Sequence, residues 1–224
     1  MYNNQNNKPY KIGIIGNRKS SQNIIIIEDD IEFIDTDNIF SLLLNENLFT
    51  NRKRNSIFVP DGIFISDTYS YFTFPVKKII NDTYKFEFPQ YVNEFEKNYF
   101  SYLLNVEYLP FHMYIEYLEN QWVILLTRPF TTQPIIPAPN DNNKSTIDKL
   151  KNKIHIVILG RYDTQIFDKS LRNILINLIE EFYNYIKMVN YSVGINKSNV
   201  LFVPEHLYSK LSFLNTNGFQ LNKI

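Results

Sequence analysis

Over residues 10–129 the apolar positions come in short runs cut by turn residues, a pattern that predicts β-strands more than helices. Residues 11–15, 23–28 and 31–35 read as strands, separated by Gly16-Asn17 and Asp29-Asp30. Residues 57–59, 63–66, 69–74 and 83–88 follow. In the last of these Tyr84, Phe86 and Phe88 alternate with Lys85 and Glu87, which predicts one face in a core and one in water. Two helices interrupt the strands. Asp37 is an N-cap type preceding residues 38–45, and Tyr91, Val92, Phe95, Tyr99 and Leu103 recur at helical spacing within residues 90–105. Phe111, Met113, Ile115 and Tyr117 then alternate as far as Glu119-Asn120, and residues 122–127 return as an apolar strand, which predicts a hairpin.

After a Pro- and Asn-rich stretch the pattern changes. Residues 154–159 form a continuous apolar strand and Asp168 can cap a helix. Leu171, Ile174, Leu175, Leu178, Ile179, Phe182, Ile186 and Val189 then mark one helical face for five turns. Residues 200–203 read as another strand. Pro204 suits the first position of a helix carrying Leu207, Leu211 and Leu214, and Gly218 suits its end. Strand, helix, strand, helix predicts a parallel pair packed under helices. The expected fold class is α+β: an N-terminal, mainly antiparallel β region with two helices, followed by a smaller strand-helix-strand-helix α/β unit. The expected organisation is a disordered tail (1–9), a β-rich region (10–129), a linker or exposed loop (130–145) and an α/β region (146–224). The boundary rests on three Pro between positions 134 and 139 followed by a polar Asn and Asp run, which suits neither a ladder nor a helix.

Composition narrows the function classes. The 224 residues are 44% hydrophobic and 16% aromatic, enough for a substantial core without disulfide or metal staples. Lys plus Arg and Asp plus Glu each number 23, so the formal net charge is zero and bulk electrostatic binding to nucleic acid is not expected. Cysteine is absent, which removes thiol catalysis and Cys-ligated metals, and no cofactor is expected. Ala occurs only at Ala138, whereas Ile, Asn, Tyr and Phe, whose codons are rich in A and T, are plentiful. That skew points to an AT-rich genome, such as that of a virus, phage, organelle, protist or low-GC bacterium, and a virus- or phage-like origin is the expectation carried forward. No stretch approaches the roughly 18 apolar residues of a membrane span, and residues 1–9 lack the basic and apolar regions of a signal peptide. The expectation is a cytoplasmic or virion-associated protein with no membrane contact.

Candidate chemistry is sparse. Residues 13–20 follow a strand and end in Lys19-Ser20. Arg18, not Gly, precedes the lysine and an Ile run follows, so a tight turn is expected there and not a phosphate loop. Glu28, Asp29, Asp30, Glu32, Asp35 and Asp37 place six carboxylates in ten positions, enough in number for divalent metal, with Asp30, Asp35 and Asp37 as candidate ligands. The segment Ile34-Asp35-Thr36-Asp37-Asn38-Ile39-Phe40 resembles the Asp-Thr-Asp palm motif of family B DNA polymerases, and residues 94–104 resemble a segment downstream of it. The family's following Lys-Lys-Arg-Tyr is replaced by Val106-Glu107-Tyr108. About thirty residues precede Asp35, too few for the other catalytic carboxylate and the nucleotide-binding helix, so polymerase activity is not expected from the resemblance.

His112, His155 and His206 lie far apart in sequence, with Glu205-His206 a candidate acid/base pair. Arg52, Lys53 and Arg54 form the basic triplet, a candidate contact for phosphate or an acidic partner. Tyr69, Tyr71, Tyr84 and Phe86 lie on adjacent candidate strands and, with their aromatic neighbours, exceed what one buried face uses, which marks a candidate interaction surface. The expected function is therefore a non-enzymatic structural or assembly protein acting through a protein partner or self-association. The alternative is a metal-dependent enzyme acting on nucleotides or nucleic acid through the Glu28–Asp37 cluster, with Arg18 or Lys19 on phosphate.

Overall fold

The computed structural model describes residues 10–14, 32–36, 38–45, 48, 58–67, 77–80, 83–86, 111–118, 121–134, 148–159, 162, 166–191 and 194–224. In chain order these give β1 (Tyr10–Ile14), β2 (Glu32–Ile34), α1 (Ile39–Leu44), β3 (Gly62–Asp67), β4 (Lys77–Ile80) and β5 (Thr83–Phe86). Then come β6 (Met113–Leu118), β7 (Gln121–Leu126), β8 (Lys153–Ile158), α2 (Lys169–Val189), β9 (Leu201–Val203) and α3 (Glu205–Tyr208). A 3₁₀ helix (Ser212–Asn217) and β10 (Leu221–Lys223) follow. The fold is mixed α+β, with an eight-stranded sheet in the order β10-β9-β3-β8-β6-β7-β1-β2 and β4-β5 paired separately.

The strands from β10 to β6 are mutually parallel, β6 and β7 form the expected antiparallel hairpin, β1 runs parallel to β7, and β2 closes the edge antiparallel to β1. Strands from both sides of residues 130–145 thus share one sheet. The sequence places β8 and β9 side by side, whereas β3 lies between them, pairing through Ile63–Ile154 and Ile63–Leu201. The physical reason lies in β3 itself: Ile63 and Ile65 are fully buried and Phe64 and Ser66 half-buried, the two-sided burial that a central parallel strand requires. Gly62 makes the insertion possible. A Cβ there would lie 2.7 Å from Lys153 Cδ and 2.9 Å from the Val200 carbonyl oxygen.

The apolar stripe read for α2 is the one it buries. Leu171, Ile174, Leu175, Leu178, Ile179, Phe182 and Ile186 pack onto the sheet face formed by Ile12, Ile14, Ile63, Ile65, Met113, Ile115, Ile124, Ile154 and Ile156, with the helix lying against β3. Each such side chain stabilises by about 1.5–3 kcal/mol relative to exposure. Asp168 is the expected cap, its Oδ1 accepting the Leu171 N–H at 2.7 Å. The opposite face of β6, β7 and β8 is also buried: Tyr114, Leu125 and Val157 are fully enclosed. The alternation along β6 therefore separates two buried faces, not a buried face from a wet one.

Three local expectations change. Asn38, not Asp37, caps α1, its Oδ1 accepting the Ser41 N–H at 2.8 Å, the three-residue reach of an N-cap into a helix that begins at Ile39. Of the expected strand at 57–59, the described residues 58 and 59 are not strand: Pro60, next in the chain, has no N–H for a ladder and its carbonyl accepts from Asn190 Nδ2. The helix from Pro204 lasts only through α3, and the 3₁₀ helix replaces its continuation. Leu211 and Leu214 are three apart, and three residues per turn bring both to the buried side. Strands β4 and β10 were not anticipated. The candidate strands at 23–28 and 69–74 and the helix at 90–105 lie outside the described residues. Among the described residues no helix is long and apolar enough to cross a membrane.

Candidate functional site

In sheets of parallel strands, the loops that leave the carboxyl ends converge on one edge and form the usual place for a site. Here the carboxyl end of β3 supplies Asp67, the segment after β8 supplies Tyr162, and the first turn of α3, after β9, supplies His206. Asp67 continues the buried alternation of Ile63 and Ile65, so its carboxylate points to the α2 side of the sheet with a side chain only 1% exposed. It accepts the Tyr162 backbone N–H through Oδ2 at 2.8 Å and meets His206 Nε2 through Oδ1 at 2.9 Å. One buried carboxylate thus ties three separate chain segments together. The carboxylate fixes Nε2 as a donor and holds the imidazole, 26% exposed, in place.

Around this pair, Tyr162 is buried against the Phe167 ring at 4.6 Å. Burial, then the negative charges of Asp168 and Asp67, push its hydroxyl above the ordinary tyrosine range. Trp122 Nε1 donates to Asp168 Oδ2 at 3.3 Å, linking the β6-β7 hairpin to the start of α2. Glu205, expected to act with His206, turns elsewhere: Lys223 Nζ donates to its Oε1 at 2.5 Å and lies over the Tyr208 ring. Successive helical residues diverge by about 100°, so neighbours in sequence do not share a target.

The other two histidines sit together at the opposite, amino end of the parallel strands. His155 donates its backbone N–H to His112 Nδ1 at 3.1 Å, leaving His112 Nε2 to donate to the Thr132 carbonyl at 3.0 Å, while His155 Nε2 donates to the Leu150 carbonyl at 3.0 Å. Phe58 stacks on His112 and Phe111 on His155. Burial, opposed by the Leu150 bond and reinforced by the Lys153 charge, lowers the His155 imidazole from 6.5 to about 4. These rings are neutral fasteners between β6, β8 and the turn after β7. Glu116 on β6 is the complementary case: burial raises its carboxyl from 4.5 to about 7.

Of the residues singled out from sequence, Asp35 is exposed just beyond β2, while Asp30 and Asp37 lie outside the described residues, as do Arg52, Lys53, Arg54, Tyr69 and Tyr71. Tyr84 and Phe86 fall on β5, paired in register with Ile79 and Lys77 of β4. Among the described residues no group of three or more His, Asp and Glu is placed to hold a metal ion. Sequence reasoning missed Asp67, although the alternation Ile63, Ile65, Asp67 carried the signal: an acid on the core face at a strand end needs partners. Comparison with protein-family models, curated proteins and solved structures finds no match to this chain.

Proposed function

We propose that the chain is a non-enzymatic structural or assembly protein, of virus- or phage-like origin, that acts through protein contacts including self-association. The observation that supports this is a group of exposed apolar side chains where α2 ends beside the entry to β3. Met188 is 64% exposed, Tyr191 90% and Val59 43%. The Asn190 side chain donates to the Pro60 carbonyl, which brings Tyr191 and Val59 to the same end of the molecule. Tyr and Met are enriched at protein interfaces relative to the rest of the surface, and covering them removes apolar area from water.

Sedimentation analysis of the full chain tests the reading. A concentration-dependent dimer or larger species is expected. A Met188→Ser, Tyr191→Ser double variant should weaken it about thirtyfold, the equivalent of a 2 kcal/mol interface anchor. A chain that stays monomeric and retains no protein in a pull-down overturns it. The metal-dependent alternative through Glu28–Asp37 has its own test. A rise in Tm with Mn²⁺ that disappears in Asp35→Asn supports that alternative; an unchanged Tm removes it.

A further inference from the structure

Asn217-Gly218 is the one Asn-Gly pair in the chain. It lies where the 3₁₀ helix ends: Gly218 takes the left-handed conformation (φ 82°) and donates its N–H to the Asn215 carbonyl at 3.0 Å. Lys197 Nζ donates to the Asn217 carbonyl at 3.1 Å, and Asn217 Oδ1 accepts from Thr216 Oγ1 at 3.2 Å. Gly218 is exposed and Asn217 half-buried, so water reaches the pair. The next residue, Phe219, is buried with Lys197 over its ring at 4.5 Å and Tyr183 edge-on at 5.8 Å.

We propose that Asn217 is a self-modification site whose deamidation is gated by this cap. The Gly218 backbone nitrogen attacks Asn217 Cγ, loses its proton and forms a C–N bond as the side-chain amide leaves as ammonia. Water then opens the resulting succinimide at either carbonyl, giving aspartate or isoaspartate. Glycine offers the attacking nitrogen without a Cβ to shield it. In the folded cap that N–H is committed to the Asn215 carbonyl, which holds the Gly218 nitrogen in place against approach to Asn217 Cγ. Reaction therefore requires local opening of residues 212–218. Once formed, isoaspartate lengthens the main chain by one methylene between the Lys197 contact and Phe219, so the cap does not close again as before. The consequence is a one-way loosening of the segment that leads into β10.

The test is isoaspartate mapping by peptide mass spectrometry on the full chain held at mildly alkaline pH, folded and in urea. In urea Asn217 should convert before any other asparagine. In the folded chain its rate should drop by about tenfold or more, the factor that a local opening cost of only 1.4 kcal/mol produces. Phe219→Ala should raise the folded-state rate toward that in urea. Lys197→Ala, which removes the Asn217 contact without emptying the core, should move it in the same direction. Equal rates for the folded and urea-treated wild type overturn the gating, and earlier conversion of another asparagine in urea overturns the site.

Discussion

Replacing Glu116 with Gln removes a titration that opposes folding above acid pH. The buried carboxyl titrates near 7 in the folded chain and near 4.5 in the unfolded one. A raised folded value means stability that is fully present below 4.5 and lost as pH rises through 7, because the unfolded chain releases the proton first. At 1.36 kcal/mol per pH unit, the gap amounts to about 3 kcal/mol above pH 8. His155 works in the other direction. Its folded value of about 4 lies below the ordinary 6.5, so its contribution is present above 6.5 and lost as pH falls toward 4. Between about 4.5 and 6.5 the two slopes oppose and largely cancel, which predicts a flat wild-type stability in that window. Urea unfolding followed by the fluorescence of Trp122, the single tryptophan, reads this directly. Relative to its offset at pH 4, Glu116→Gln should gain about 3 kcal/mol by pH 8, and its stability should climb by nearly as much between 4.5 and 6.5. If the difference between variant and wild type stays constant from pH 4 to pH 8, the buried-carboxyl argument is wrong.

Asp67→Ala strands the Tyr162 N–H and the His206 ring at once and should cost about 2–4 kcal/mol, measured by denaturant midpoint; a loss within error of a surface substitution would deny the clasp. Gly62→Ala should destabilise by about 1–3 kcal/mol because the Val200 oxygen cannot retreat without losing its bond from the Ile63 N–H, and a neutral thermal shift would show that β3 and β9 can part there. Asp168→Ala should cost about 1 kcal/mol as an N-cap and alter Trp122 emission through the lost indole contact; an unchanged spectrum would place the indole elsewhere.

What could be read from the sequence were the elements whose local pattern and tertiary role agree. Helix α2 was plain because its apolar stripe, its Asp168 cap and its packing face are the same statement made three ways. The β6-β7 hairpin was plain because its partners are adjacent in the chain. Strand order was not, since the pairing of Ile63 with Ile154 and Leu201 depends on which neighbours bury both faces of β3, and periodicity carries no information on neighbours. The site followed the same division. His206 stood out as a titratable residue, but its partner Asp67 lies 139 positions away and was chosen by the convergence of strand ends, while the adjacent Glu205 was a partner in sequence only. Asp35 stood out for its crowded carboxylates, a compositional feature that says nothing about whether a chain turns them inward.

The insertion of β3 also sets an order of events for a folding chain. The Asp61–Lys153 pair at its entry spans 92 positions, so the centre of the sheet closes only after a long loop has been fixed, the kind of contact that slows folding. Until then β8 and β9 have a gap between them the width of one strand, with main-chain donors and acceptors open on both sides. A chain lacking residues 1–74, and β3 with them, would carry that gap permanently. A peptide of residues 58–67 added in trans should enter it with the native register, and in a crowded solution of intact chains the same opening is where one molecule would lend its strand to another.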